Sequence, residues 1–291
     1  MPLLGLVEEN FDIAMIQPDQ GLSIPLAPIK FVAFDIDGTL IHRGQIVEAN
    51  REAILRASEY GVDLVPFTAR AFPSTMELIK DLNLNGPMVC CNGAVSYQDI
   101  HGQEYWHERI PLKVAREIAG FADKKGIELC TTIGFVTYFR QRPGQKLGRW
   151  GDDRYVIEQN ITPLVESPNR IMVSGQEDVQ VIKDEFMDKF IGELSFRLAE
   201  EVNHSLYLII TPLQATKGHA LKRICQILGY SLQETLAIGD GEADIDMFSV
   251  AGISIAVGGA PDQVVSAADH VAPPCDQAAI AWALDNFVLG P

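Results

Sequence analysis

Short apolar segments alternate with helical patterns between residues 30 and 94. Three of these segments are apolar and rich in β-branched or aromatic residues, as buried strands are: KFVAFDI (30–36), VDLVPFTA (62–69) and PMVCCNGA (87–94). The stretches between them, 47–61 and 72–84, carry apolar residues at helical spacing. Strands that alternate with helices at these lengths predict a parallel sheet with helices on its faces.

This alternation stops after residue 94 and resumes near residue 217 with a helix (217–231), a strand (234–240) and a further helix (243–252). Between those points, hairpin and strand patterns are mixed with helical patterns over 112–126 and 177–193. Such a mixture indicates an α+β unit built around an antiparallel sheet.

We therefore predict an α/β fold with a doubly wound parallel-sheet core, made of residues 29–90 and 208–291. An inserted α+β domain, residues 91–207, is expected to interrupt this core. Residues 1–28 show no sustained period and are expected to form an N-terminal extension.

The charge balance limits the partners of the chain. A net charge of −16, from 23 basic and 39 acidic residues, argues against broad nucleic-acid binding, because a polyanion would be repelled. A small anionic substrate would need a local positive centre such as a metal ion. We predict no nucleic-acid partner.

The cysteines and the hydropathy pattern indicate the compartment. Five cysteines without a CxxC pair or a Cys/His metal spacing predict reduced thiols and no disulfide framework. The first 29 residues contain no Lys or Arg, so the basic region of a signal peptide is missing. No apolar run approaches the roughly 18–20 residues that cross a bilayer. We expect a cytoplasmic protein that does not associate with membranes.

Polar side chains gather where four predicted strands end: Asp35 and Asp37, Thr68 and Arg70, Asn92, and Asp240 and Asp244. Ligands of open parallel sheets bind outside the carboxyl ends of the strands, so these segments should converge on one crevice. Two carboxylates about 4 Å apart repel by on the order of 4 kcal/mol at an effective dielectric near 20, and a divalent cation would offset this repulsion. Carboxylate and carbonyl oxygens with room for water favour Mg²⁺. Either acidic motif alone is also typical of a polar turn, but their occurrence together favours a site.

These motifs resemble those of the haloacid dehalogenase superfamily. Asp35-Ile36-Asp37-Gly38-Thr39-Leu40 is similar to its first motif, Thr68 to its second, Lys217-Gly218 to its third, and Gly239-Asp240-Gly241-Glu242-Ala243-Asp244 to its fourth. Asn92-Gly93-Ala94 and the large insertion between the second and third motifs resemble the Cof-type, class IIB phosphatases. The resemblance spans roughly residues 30–275. It implies a Rossmann-like core with a C2-type cap that sets substrate specificity.

The resemblance implies a Mg²⁺-dependent phosphatase that works through an aspartyl-phosphate. Asp35 would attack the phosphorus, while Asp37 would protonate the leaving alcohol and then activate the hydrolytic water. An Asp35 oxygen, the Asp37 backbone carbonyl and Asp240 would hold the metal ion. Thr68 and Lys217 would bind the phosphoryl oxygens, on which charge accumulates in the transition state.

The resemblance also assigns supporting roles and exposes two departures. Arg70 and Asn92 would contact the substrate. Asp244 would support the metal waters or orient the lysine of the third motif, and Gly239 and Gly241 would shape that loop. The chain has Ala243 where the family usually has Asn, so a hydrogen bond around the metal is expected to be missing. The second motif, commonly Thr-Gly-Arg, reads Thr-Ala-Arg here.

A basic loop in the predicted insertion, RQRPGQKLGRWGDDR (140–154), contrasts with the acidic chain. We predict that Arg142 and Lys146 in this loop bind a second anionic group or sugar hydroxyls of the substrate. Trp150 would offer a ring on which the substrate could stack. The alternative is a solvated loop without a role in binding.

The leading hypothesis is Mg²⁺-dependent hydrolysis of small phosphorylated metabolites, with sugar phosphates ranked first, by a monomer or homodimer. Two alternatives remain open. One is a phosphomutase, which would keep water away from the aspartyl-phosphate. The other is a metabolite-binding or regulatory protein with impaired turnover, for which Ala243 is the one indication.

Overall fold

The computed structural model of the 291-residue chain describes residues 27–84, 86–140, 154–200 and 206–290. The strands in these ranges are, in chain order, β1 (Phe31–Phe34), β2 (Ile41–His42), β3 (Gln45–Ile46), β4 (Asp63–Pro66), β5 (Met88–Cys90), β6 (Val95–Tyr97), β7 (Glu104–His107), β8 (Leu129–Ile133), β9 (Val136–Arg140), β10 (Arg154–Ile157), β11 (Arg170–Ser174), β12 (Leu194–Glu200), β13 (Leu206–Pro212), β14 (Thr235–Gly239), β15 (Ile253–Gly258) and β16 (His270–Pro274). The α-helices are α1 (Glu48–Glu59), α2 (Phe72–Ile79), α3 (Leu112–Lys125), α4 (Gln176–Phe186), α5 (Lys217–Leu228), α6 (Ile245–Phe248), α7 (Asp262–Val265) and α8 (Ala279–Leu284).

Five strands form a parallel sheet in the order β16–β15–β14–β1–β4. The first strand, β1, lies between β4, which follows it closely along the chain, and β14, which comes much later. Phe31 is opposite Asp63 on one side and Thr235 on the other. This strand order confirms the predicted doubly wound α/β core.

Every residue of β1 is buried because helices cover both faces of the sheet. Val32 and Phe34 pack in one apolar cluster with Ile54 of α1, whereas Phe31 packs in another with Ile224 of α5. Burial on two sides explains why this segment is continuously apolar and does not alternate. The sheet therefore presents its polar residues at the strand ends.

The third predicted strand, 87–94, is shorter than expected. β5 pairs antiparallel with β6 and meets the parallel sheet at an isolated bridge between Phe67 and Val89. The strand cannot continue, because Cys91 and Asn92 have φ angles of 52° and 56° and turn the chain back. One of the hairpins predicted after residue 94 is formed by β6 and β7, which pair next to β5.

Six strands form a second sheet in the order β10–β9–β8–β11–β13–β12, which we call the cap sheet. Its pairs are antiparallel except for β9 with β10. Ile118 of α3 and Ile182 of α4 pack in one cluster with Ile171 and Leu208 of the sheet, so both helices cover one face. This arrangement confirms the predicted inserted α+β cap. Its predicted limits, residues 91–207, stay a prediction.

Two predicted helices are shorter than their patterns indicated. The helix over 177–193 ends at Phe186 and is followed by turns. The helix over 243–252 is reduced to α6, because a 3₁₀ turn, Glu242–Asp244, precedes it. That turn forms because the Asp244 carboxylate accepts backbone N–H groups from the residues before it.

Of the predicted N-terminal extension, residues 1–26 lie outside the described ranges. Within the described residues, no helix combines the length and apolar character that a membrane crossing requires.

Two isoleucines on α5 offer a matched test of this packing. Ile224 is fully buried against the sheet, whereas Ile227 is 44% exposed. Ile224→Ala is expected to lower the free energy of unfolding by about 2–5 kcal/mol, because it removes core contacts and leaves a cavity. Ile227→Ala should cost less than about 1 kcal/mol. Denaturant unfolding of both variants measures the difference, and equal losses would contradict the assigned buried face of α5.

Candidate active site

Three carboxylates meet at the carboxyl ends of β1 and β14. Asp35 directly follows β1, and its backbone N–H donates to the Ile238 carbonyl oxygen of β14 at 2.9 Å. Asp240 follows β14, and Asp244 lies one turn later. Carboxylate oxygens of Asp35, Asp240 and Asp244 lie within 4.8 Å of one another. The predicted convergence of the first and fourth motifs is therefore present.

A buried lysine joins two of these carboxylates. Lys217 is the first residue of α5 and is 2% exposed. Its Nζ donates to Asp35 Oδ1 at 2.6 Å and to Asp244 Oδ1 at 2.5 Å. Burial by itself lowers the pKa of Lys217, but Asp244 and Asp35 together raise it above its usual range. The side chain therefore stays an ammonium group at neutral pH.

Asp244 also organises the loop that carries Asp240. Its Oδ2 accepts the backbone N–H of Asp240 at 3.1 Å and that of Gly241 at 2.9 Å. A Cβ at Gly239 would collide with the Asp244 carboxyl group, so this position requires glycine. The Gly-Asp-Gly-x-x-Asp spacing thus allows the backbone N–H groups of the loop that carries Asp240 to hold the Asp244 carboxylate.

The turn after β1 lies directly against the Asp240 carboxyl group. Gly38 has a φ of 85°, and a Cβ there would collide with the Asp240 carboxyl group. The Thr39 hydroxyl donates to Asp240 Oδ1 at 2.8 Å. Thr39 was missed as a site residue, although its position in the first motif was visible in the sequence.

Two carboxyl groups of the cluster, those of Asp35 and Asp240, carry raised pKa values. Burial raises the pKa of Asp35 well above its ordinary value; Lys217 lowers it, and Asp244 and Asp240 raise it further. Burial and the Asp244 charge raise the pKa of Asp240 to about 6, against the hydrogen bond from Thr39. Closely spaced carboxylate oxygens are suitable ligands for a divalent cation, and the cation would offset the repulsion between their charges. The residues present therefore suit the metal ion that the sequence predicts.

Asp37 stands apart from this buried cluster. Its side chain is 52% exposed and accepts two hydrogen bonds from Arg70, Nε to Oδ2 and Nη2 to Oδ1, both at 2.6 Å. The guanidinium group predicted to contact substrate thus lies against the predicted general acid. Sequence spacing shows that the two motifs meet, but it does not show which side chains pair.

Thr68 and Asn92 lie on two loops that are hydrogen-bonded to each other. Asn92 N–H donates to the Thr68 carbonyl oxygen at 2.9 Å, and Thr68 N–H donates to the Val89 carbonyl oxygen at 2.9 Å. The buried Thr68 Oγ1 accepts the Arg70 backbone N–H at 3.1 Å, so its own proton remains available to another acceptor. Asn92 Oδ1 is buried and has no hydrogen-bond partner among the described residues.

The two departures from the family pattern, Ala69 and Ala243, lie in the second and fourth motifs. Ala69, at the usual glycine position, is not among the residues with positive φ, so the backbone there does not require glycine. Ala243 lies in the 3₁₀ turn, and its methyl side chain offers no hydrogen bond. Arg142, Lys146 and Trp150 lie outside the described residues.

Comparisons with known proteins agree with this geometry. The model of a family described as haloacid dehalogenase-like hydrolase matches residues 32–284. The chain is 28% identical to Phosphatase YwpJ of Bacillus subtilis, over 89% of this chain and 100% of that protein. It is 25% identical to 5-amino-6-(5-phospho-D-ribitylamino)uracil phosphatase YcsE of the same organism, over 90% of this chain and 96% of that protein. The solved structure of the HAD subclass IIB sugar phosphatase BT4131 has the same fold, with a TM-score of 0.73 at 22% identity, covering 89% of this chain and 98% of that one.

The raised pKa of Asp240, about 6, predicts how metal-free stability depends on pH. A carboxyl pKa raised by folding contributes stability that is complete below its ordinary value and lost as the pH rises through 6. In EDTA, Asp240→Asn is therefore expected to raise the melting temperature at pH 7.5 by on the order of 2–5 °C, with a smaller gain at pH 5.

Thermal unfolding at both pH values, with the exposed Asp188→Asn as the control, measures this effect. Saturating Mg²⁺ should reverse the order at pH 7.5, because only the wild type retains the full set of ligands. A variant less stable than the wild type in EDTA at pH 7.5 would show that Asp240 is not repelled by its neighbours.

Proposed function

The chain belongs to the haloacid dehalogenase-like hydrolases of the Cof type and is an enzyme of the phosphatase kind, and we propose that it hydrolyses small phosphorylated metabolites with Mg²⁺ through an aspartyl-phosphate. The observation that carries the proposal is the Asp35–Lys217–Asp244 ion-pair cluster, with Asp240 beside it, at the strand ends. A buried carboxylate nucleophile next to a buried ammonium group is suited to phosphoryl transfer, because the ammonium group stabilises the negative charge of the phosphoryl group.

In the first step, an oxygen of Asp35 attacks the phosphorus of the ester. The new bond from Asp35 to phosphorus forms as the bond from phosphorus to the ester oxygen breaks, and the leaving oxygen takes a proton from Asp37. Lys217 and the free hydroxyl proton of Thr68 would bind phosphoryl oxygens, on which negative charge accumulates. Because Lys217 already donates to Asp35, it also fixes the direction of that carboxylate.

In the second step, Asp37 takes a proton from a water molecule that attacks the phosphorus and releases phosphate from Asp35. Arg70 holds both Asp37 oxygens in the described structure. The hydroxyl oxygen of a protonated carboxyl group accepts a hydrogen bond more weakly than a carboxylate oxygen does, so one contact with Arg70 weakens when Asp37 carries a proton. Arg70 thus orients the general acid in both protonation states.

Asp35, Asp240 and the Asp37 backbone carbonyl would hold the metal ion, with Asp244 next to them. When bound, Mg²⁺ neutralises the carboxylate cluster and draws charge from the phosphoryl oxygens. The raised pKa values of Asp35 and Asp240 support this assignment, because both groups are ionised at a cost that a cation offsets.

Sugar phosphates are the substrate class that we rank first. The names of two similar proteins, a sugar phosphatase and a phosphatase of a phosphoribityl compound, both denote esters rich in hydroxyl groups. The buried, unpartnered Asn92 Oδ1 supports the same class, because a carbonyl oxygen accepts from a hydroxyl group and repels a phosphate oxygen.

The proposal is tested by measuring phosphate release from a panel of sugar, cofactor and nucleotide monophosphates. Release is expected with Mg²⁺ and not with EDTA, and Asp35→Asn should lower kcat by at least about 10³-fold, because the nucleophile is lost. Asp188→Asn, a remote exposed change of the same type, should have no effect. With p-nitrophenyl phosphate, whose leaving group departs without a proton, the phosphorylated enzyme should accumulate in Asp37→Asn and be visible by intact mass spectrometry.

Other outcomes would favour the alternatives. Transfer of the phosphoryl group to an added sugar phosphate, in preference to release, would indicate a phosphomutase. Tight Mg²⁺-dependent binding of a phosphate ester without turnover would indicate a binding protein impaired at Ala243. Release that persists in EDTA or in Asp35→Asn would overturn the proposed chemistry.

The basic loop gives a separate prediction on specificity. Arg142→Ala with Lys146→Ala is expected to raise KM on the best substrate about 10-fold with little change in kcat, because contacts to a remote group bind ground state and transition state alike. Lys80→Ala with Lys222→Ala, two exposed lysines in other parts of the chain, serves as the charge-matched control. An unchanged KM in the double variant would leave the loop without a role in binding.

A further inference from the structure

A buried arginine of the cap sheet reaches a loop of the core. Arg170 is the first residue of β11 and is 9% exposed. Its Nη1 donates to the backbone carbonyl oxygen of Ala69, and its Nη2 donates to Thr132 Oγ1 at 3.3 Å. Its Nε has no partner among the described residues. The hydrogen bonds of this buried charge therefore go to neutral oxygens, an arrangement that apolar packing alone does not need.

The accepting carbonyl belongs to the segment that carries the second motif. The three consecutive carbonyl groups of that segment have different partners: Thr68 accepts from Asn92 and Arg70 accepts from Cys91, at 2.9 and 2.8 Å, both in the loop that follows β5. The Ala69 carbonyl is the one that turns to the cap sheet. A hydrogen bond from a charged donor is stronger than these neutral ones, so the guanidinium group restrains the middle of the segment.

The end of β11 that carries Arg170 is itself fixed within the cap sheet. The N–H of the preceding residue, Asn169, donates to the Thr132 carbonyl oxygen at 2.8 Å, and Asn169 Oδ1 accepts the Gly134 N–H at 3.1 Å. The guanidinium group of Arg170 therefore starts from a strand end that hydrogen bonds hold in place.

We propose that Arg170 is a positioning residue: it holds the Ala69 carbonyl so that Thr68 and Arg70 keep the geometry needed for phosphoryl transfer. The role rests on the proposed function, in which Thr68 binds the phosphoryl group and Arg70 orients Asp37. The catalytic loop is thus fixed from the cap sheet as well as from the core. A displacement of about 1 Å at such a loop can lower the rate about 100-fold.

The activity test uses the full chain with p-nitrophenyl phosphate and Mg²⁺. Arg170→Met should lower kcat about 10- to 100-fold with KM within about threefold, because the loop acts on the transition state more than on binding. Arg170→Lys, which keeps one charged donor, should recover part of the loss. Thr132→Val removes the other contact of the same guanidinium group and should leave kcat within about twofold.

A general loosening of the cap is tested by another contact between the cap sheet and the core. Arg197 Nη2 lies 4.0 Å from Asp246 Oδ2, away from the second motif. Arg197→Met should not reproduce the kcat loss of Arg170→Met. Equal losses in Arg197→Met or in Thr132→Val would overturn the proposal, since the arginine would then only attach the cap.

Hydrogen exchange tests the proposal independently of catalysis. The amides of Cys91 and Asn92 donate to Arg70 and Thr68, so their exchange reports the position of the loop. Arg170→Met should speed their exchange about 10-fold or more, while Thr132→Val should not. Should the wild type release no phosphate, the proposed function fails and this readout still decides the positioning role. Unchanged exchange in both Arg170→Met and Arg170→Lys would overturn it.

Discussion

A buried ammonium group between two buried carboxylates is the interaction on which the site depends. Each of these charges alone would cost several kcal/mol to take out of water. Lys217 offsets that cost for Asp35 and Asp244, and they offset it for Lys217. The three residues come from the start of α5, the end of β1 and the turn before α6, so their pairing ties three elements at one point.

The second carboxylate oxygen of Asp244 connects this ion-pair cluster to the loop after β14. Asp244 binds the lysine with one oxygen and the backbone of Asp240 and Gly241 with the other. Gly38 and Gly239 leave the space that the Asp240 and Asp244 carboxyl groups fill. The Asp240 and Asp244 carboxyl groups therefore occupy space that a side chain at position 38 or 239 would fill.

The fold and the centre of the site could be predicted from the sequence because parallel strands share one direction. Asp35 and Asp240 had to meet once their strands were recognised as neighbours in such a sheet. The early end of β5 could not be read, because Cys91 and Asn92 adopt positive φ without being glycine. The pairing of Arg70 with Asp37 depends on the conformation of the long arginine side chain, which the spacing of motifs along the sequence does not determine.

Arg170 lay outside the prediction for a different reason. Strand periodicity assigns a residue to one face of its sheet, but it does not identify a carbonyl group more than a hundred positions away. The contact also joins the cap sheet to the core through a backbone atom, which leaves no pattern of residue types. Such links become visible when the two sheets are placed against each other.

The position of β1 has a consequence for the order in which the chain is made. On the ribosome, β1 and β4 emerge close together in time, but the partner on the other side of β1 begins at Thr235 and emerges only after the cap. Until then one edge of the first strand keeps its backbone groups unpaired, and Phe31 lacks the α5 side chains that cover it in the complete fold. A chain stopped within the cap would display that bare edge, so incomplete synthesis should yield an aggregating fragment instead of a weakly active enzyme.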